Sequence, residues 1–187
     1  MNDSIADTTL VAAPAAGRWV TLSPRTTTPG LIGAMEAFEP LNFPAGDAAA
    51  RFLKEEAVVN SSMSRTHLLV SEQQVEGFVS LCSGSVKLSK RSIRSLGLRT
   101  TITTMPAIVL TWVARHRESS TTGLELVQTA FAVARESAKN IGVAAFVLDP
   151  WDDKVADLWR SEPYPFRDSE QRRRGKPPRL WTPLEAT

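Results

Sequence analysis

The chain has 187 residues, 42% of them hydrophobic and 22% charged, with a net charge of +2. That length supports one domain with a substantial core rather than two, and no apolar run approaches the ~20 residues that a bilayer span needs. The single cysteine, Cys82, excludes an internal disulfide and fits a reducing cytoplasm, and no basic segment precedes the short apolar part of the N-terminus, so no signal peptide is expected.

Residues 1–30 read as a loose tail with one possible strand, Arg18–Leu22, before Thr26–Gly30 breaks the chain. A domain is expected over residues 31–187. Asp47 can cap a helix running to about Asn60, with Ala49, Phe52, Leu53 and Ala57 on one face. Thr66–Val70 and Val75–Val86 read as a hairpin, with Cys82 a small core residue within it. A polar, basic linker follows. Between Gly77 and Arg117 there is no acidic residue, yet Lys87, Lys90, Arg91, Arg94, Arg99, Arg115 and Arg117 fall there. Ala107–Val113 reads as a buried strand. From Gly123 a helix places Leu124, Val127, Phe131, Ala134, Ala138 and Ile141 at helical spacing. Val143–Leu148 is another buried strand, Asp152–Arg160 a short helix and Arg179–Leu184 a closing strand. A second basic cluster, Arg167–Arg179, contains Arg172, Arg173 and Arg174. Two such clusters point to a polyanionic partner, with a solvated surface as the alternative. His67 and His116 are too isolated to suggest a metal site. Asp149, Asp152 and Asp153 read as a strand end and helix cap, so no metal is expected.

Strand, hydroxyl-rich loop and helix meet at His116–Gly123, where a helix N-terminus can hold phosphate. The same stretch has a plain structural account. Thr122-Gly123-Leu124-Glu125 matches a capping box, and a capping box uses the donors that a phosphate would take.

Ser64–Val86, Met105–Val113, Gly123–Trp159 and Pro178–Leu184, taken in order, resemble the GNAT acetyltransferase superfamily. They look most like its small toxin branch from bacterial toxin–antitoxin pairs, over roughly Phe38–Leu184. The resemblance implies an α+β domain with a mixed, mostly antiparallel central sheet flanked by helices. It also implies acetyl-CoA as cofactor. Trp112 and Val113 on the splayed central strand would hold the pantetheine arm. Arg117, Ser119, Ser120, Thr121, Thr122 and Gly123 would hold the pyrophosphate. Ser119 and Thr121 stand where two glycines are usual, and Glu118 adds a negative charge. Trp159 falls at the catalytic tyrosine of the superfamily; Tyr164, the only tyrosine in the chain, is the candidate substitute. An indole N–H is no useful general acid.

Two functions follow. One is an acetyl-CoA-dependent N-acetyltransferase, with the amine of aminoacyl-tRNA as the acceptor that the toxin branch implies. Lys87, Lys90, Arg91, Arg94, Arg172, Arg173 and Arg174 would then hold phosphates. The other is a catalytically inactive GNAT-fold module that binds nucleic acid or a protein partner through its basic face. Candidate partners are tRNA or another polyanion, an antitoxin-like protein and a second copy of the chain in a homodimer.

Overall fold

The computed structural model describes residues 17–72, 74–99, 101–161, 166–171 and 174–184. Tyr164, Arg172 and Arg173 therefore lie outside the described residues.

Among the described residues, seven strands form one sheet in the order β1-β2-β3-β4-β5-β7-β6. They are β1 Arg18–Thr21, β2 Ser64–Ser71, β3 Gln74–Lys87, β4 Thr104–Arg115, β5 Ala145–Leu148, β6 Arg167–Asp168 and β7 Leu180–Pro183. Every pairing is antiparallel except β4 with β5. Five α-helices among the described residues flank it: α1 Pro29–Glu36, α2 Gly46–Arg51, α3 Lys90–Ser95, α4 Gly123–Ala138 and α5 Asp153–Arg160. This is the mixed, mostly antiparallel α+β sheet that the sequence implied. No helix among the described residues is long and apolar enough to cross a membrane.

The N-terminal region is more structured than its composition suggests. Arg18–Thr21 pairs with His67–Val70 as the edge strand, and α1 begins at Pro29, so the folded unit starts ahead of residue 31. Thr28 caps α1 by accepting from the Leu31 amide, and Pro29 takes the first turn, where its missing N–H costs nothing. Asp47 is not the cap expected of it. The N-cap is Ala45, without a side-chain bond, and Asp47 lies inside the first turn, where its charge still favours the helix dipole. The helix continues past Arg51 as a π-turn, Phe52–Glu56, closed by the Ala57 amide on the Phe52 carbonyl (2.9 Å). The basic linker contains α3, capped by Ser89 on the Ser92 amide (3.0 Å).

The two faces of the sheet are covered differently. On one, Val79, Leu81, Ile108, Leu110, Phe146 and Leu148 pack against Leu126, Val127, Ala130 and Ala134 of α4 and Ala156 and Trp159 of α5. On the other, Phe78, Ala114 and Trp112 meet α1 and α2, while Val86, Ala107, Val109 and Val147 meet Ile93 of α3. The strand β4 changes faces in mid-course. Ile108 and Leu110 face α4, but beyond Thr111 it is Val113 that does, and Trp112 and Ala114 face away. The cause is a bulge: Ser80 pairs with Trp112 but Leu81 with Leu110, leaving Thr111 as the extra residue. Its hydroxyl donates to the Ser80 carbonyl (3.0 Å). Gly77 lets α4 approach the sheet: a Cβ there would lie 2.9 Å from Leu126 Cδ1 and 3.1 Å from the Ala114 carbonyl oxygen.

Candidate active-site cleft

Strands β4 and β5 stay paired for only four residues, from Ala107–Ala145 to Leu110–Leu148. Past the bulge β4 runs on to Arg115, whereas β5 ends and the chain turns off at Asp149-Pro150, where proline has no N–H to extend a ladder. The two strands therefore splay. The His116 amide donates to the Glu76 carbonyl across β3, and the Arg115 carbonyl accepts from the Leu41 amide on the opposite edge. By alternation, the N–H and C=O of Val113 also point to that open edge.

The resulting cleft has a volume of about 570 Å³. Leu126, Val127, Val155 and Trp159 line it from the α4–α5 face, and Leu41, Phe43, Ala45 and Trp112 from the other. It is thus lined from both faces of the sheet. Its walls are apolar, with Trp112 stacked on Phe52 at 5.2 Å between centroids. Among the described residues, the two ionisable side chains lining it are both engaged. Arg115 donates to the Ser119 carbonyl (2.8 Å), and Asp149 accepts a two-pronged bond from Arg179 (2.9 and 2.8 Å). Hydrogen bonds to Asp149, the larger cause, hold the Arg179 guanidinium above its ordinary pKa.

Trp159 is only 8% exposed, lines the cleft and meets Phe166 edge-on at 6.0 Å. It stands in the cleft but carries no group that gives up a proton near neutral pH. No tyrosine among the described residues lines the cleft.

The loop between β4 and α4 is tied into the protein rather than open. The Arg117 amide donates to the Glu39 carbonyl (2.9 Å), Glu118 N–H to His116 Nδ1 (3.2 Å), and Ser119 N–H to the His116 carbonyl (3.1 Å). Since Nδ1 accepts from a backbone amide, the His116 proton sits on Nε2. Ser119 and Thr121 are buried, and the Thr121 amide donates to Ser119 Oγ (3.1 Å). The capping box is complete. Thr122 N–H donates to Glu125 Oε2 (2.6 Å), and the Glu125 amide donates to Thr122 Oγ1 (3.2 Å). Those bonds, the backbone one first, hold the Glu125 carboxyl below its usual range. Of the residues assigned to a cofactor, Trp112, Val113 and Gly123 line the cleft. Arg117 instead pairs with Glu39 (2.6 Å) at a second cavity of about 490 Å³.

The basic clusters meet in space. Lys87, Lys90, Arg91 and Arg94 are exposed at the far end of β3 and on α3. The Glu170 amide donates to the Lys87 carbonyl (3.0 Å), and Arg179 to the Ser85 carbonyl (3.1 Å), drawing the second cluster alongside. Arg174 is exposed, and Lys176 Nζ sits 3.7 Å over the ring of Trp151, which is on the cleft rim. The pairing of Lys87 with the segment after β6 is long-range, and no local sequence signal announces it.

No family model and no curated protein sequence matches the chain. Solved structures do. A mutant of the toxin AtaT superposes with a TM-score of 0.69 at 17% identity, covering 96% of each chain. AtaT complexed with acetyl-methionyl-tRNAfMet superposes at 0.63 and 19% identity, over 80% of this chain and 86% of that one. A mutant of KacT gives 0.63 at 18%, over 80% and 87%. Another similar structure holds AtaT with the C-terminus of the antitoxin AtaR and acetyl-CoA (TM-score 0.58, 18% identity, over 80% and 85%). The chain has the fold of these AtaT and KacT structures, the GNAT-like mixed sheet that the sequence resemblance implied.

Proposed function

We propose that this chain is an N-acetyltransferase of the GNAT type that works on an α-amine carried by a polyanion, with the aminoacyl end of a tRNA as acceptor. The observation that carries the proposal is the cleft at the point where β4 leaves β5. A donor lying along the open edge of β4 and an acceptor entering from the α1–α2 face would meet inside it, and positioning of that kind can supply much of a rate enhancement. The ligands of the similar structures, acetyl-CoA in one and an acetylated aminoacyl-tRNA in another, support the same assignment.

The chemistry of the walls narrows the acceptor. Arg115 and Asp149 are engaged and Trp159 cannot shuttle a proton, so the cleft favours an amine that is already neutral. An α-amine, with a pKa of about 7.7–8.0, is partly neutral near pH 7.5, whereas a lysine side chain at about 10.4 is not. The basic ridge from Lys87 to Lys176 reaches the rim of the cleft at Trp151, as a phosphate backbone bearing that amine would require. A cytoplasmic site of action and an antitoxin-like partner belong to the same proposal.

A second function has its own support. The closed loop and Trp159 favour a non-catalytic GNAT-fold module that binds nucleic acid or a protein through the basic face. Incubation with acetyl-CoA and charged tRNA, followed by mass spectrometry of the aminoacyl end, separates the two. A product heavier by one acetyl group supports the transferase; retained RNA binding without product leaves the module. In either case, replacing Lys87, Lys90, Arg91 and Arg94 with Ala should lower the slope of log affinity against log salt by about 3. An unchanged slope removes those residues from the interface.

A further inference from the structure

The fold implies a coenzyme A thioester, and its two parts need different things from the protein. The arm needs an apolar channel with a free strand edge, which the cleft offers along Val113. The diphosphate needs amides at the start of a helix that have no other acceptor, together with the positive end of the dipole. Here most of the loop amides are taken. Arg117, Glu118, Ser119, Thr121 and Thr122 donate within the protein, and the Glu125 amide is capped by Thr122, while of this stretch Ser120 and, at the start of α4, Gly123 and Leu124 keep theirs. Glu125 already stands as an anion on the helix end, 2.6 Å from the Thr122 nitrogen. The nearest cations do not offset it: Arg115 points into the loop carbonyls, and Arg117 is bound to Glu39. The arm finds an open strand edge in this protein, whereas a diphosphate at the start of α4 would meet the Glu125 carboxylate.

We infer that Glu125 sets which thioester carrier the cleft takes: its carboxylate fills the place of a diphosphate, so the cleft grips an uncharged pantetheine arm and gives the anionic tail of coenzyme A no hold. The inference rests on the acyl-transfer proposal, yet it can fail separately. Glu118 adds a second negative charge on the same loop, 3.9 Å from Arg117, and its amide goes to His116 rather than to any ligand.

Calorimetry of the full chain with acetyl-CoA, coenzyme A and S-acetyl-pantetheine tests it in the unaltered protein, Glu125→Gln and Glu125→Ala. The unaltered protein should bind the two acetyl thioesters within about twofold of each other. Removing the charge should favour acetyl-CoA over acetyl-pantetheine by about tenfold, with the affinity for acetyl-pantetheine unchanged. Glu125→Gln keeps an acceptor for the Thr122 amide, so it serves if Glu125→Ala melts too low to measure. Tenfold tighter binding of acetyl-CoA than of acetyl-pantetheine by the unaltered protein would overturn the inference. So would an unchanged ratio in both variants. If the unaltered protein binds neither thioester, the transferase proposal falls. Binding of coenzyme A gained in the Glu125 variants would then still support the inference, and its absence would overturn it.

Discussion

Strand β4 opens its backbone in one place and the loop after it closes its own in the next. From Thr111 to Ala114 a bulge turns the strand away from β5, and the groups of Val113 face an apolar cleft. From Arg117 to Glu125 six of the nine amides have found an acceptor within the chain, all but those of Ser120, Gly123 and Leu124. The two stretches are adjacent in sequence and would serve a single ligand in a coenzyme A enzyme. On the function proposed above, their difference makes gripping an acyl arm and gripping its phosphates separable tasks. Sheet pairing sets the first, while local capping sets the second.

The largest expected effect comes from the residue on which both stretches depend. Gly77 seats the first turns of α4 against β4, and a side chain there would press on Leu126 and on the Ala114 carbonyl, which is backbone and cannot swing aside. Gly77→Val should cost about 3 kcal/mol of stability by overpacking, read as a lower urea midpoint. If the midpoint does not move, α4 is not seated as described, and the link between cleft and loop breaks with it. Next in size, Val155→Phe fills the cleft from α5. It should weaken acetyl-pantetheine binding by about tenfold, or ~1.4 kcal/mol, while the melting temperature stays put. Unimpaired binding would place the ligand elsewhere.

Much of this was legible in the sequence, and the division follows the range of the interactions. The capping box at Thr122–Glu125 could be read because cap and acceptor lie three residues apart, and the structure contains both bonds. The strands β2, β3, β4, β5 and β7 showed in runs of apolar residues. The bulge at Thr111 did not, because a strand buried on both faces has no alternation for a bulge to interrupt. Helix α1 was hidden behind Thr28-Pro29, read as a break although Thr then Pro is also a cap and first turn. The fate of Arg117 depended on Glu39, and the joining of the basic clusters on a bond between Glu170 and Lys87. No local pattern encodes such distant pairings. The cleft itself is the absence of pairing between two strands, which only the assembled sheet reveals.

A smaller effect sharpens the closed side alone. Thr122→Ala removes the cap acceptor of the Glu125 amide and should cost about 1 kcal/mol, with cleft binding of acetyl-pantetheine unaltered. A loss of both together would show that the two regions are not separable after all.

The smallest effects are those of pH, and they fall in two windows. Glu125 has its folded pKa lowered by the Thr122 bonds, so it binds a proton less readily folded than unfolded. Its contribution is therefore complete above the ordinary carboxylate value and is lost as pH falls through the lowered one. His67, on β2 and bonded to Thr21 Oγ1 (2.9 Å), is also lowered, by burial first and then by the charge of Arg65. For a base this means that the unfolded chain takes up the proton first. Stability should thus decline as pH drops through about 6.5 and continue down to the folded value. Urea midpoints from pH 8 to pH 3 should show a decline near neutrality that His67→Gln flattens and Glu125→Gln leaves alone. A separate decline below pH 4.5 should respond to Glu125→Gln and not to His67→Gln. Should Glu125→Gln leave the acid limb unchanged, its carboxylate does not hold the loop shut in solution, and the contrast between the open strand and the closed loop loses its closed half.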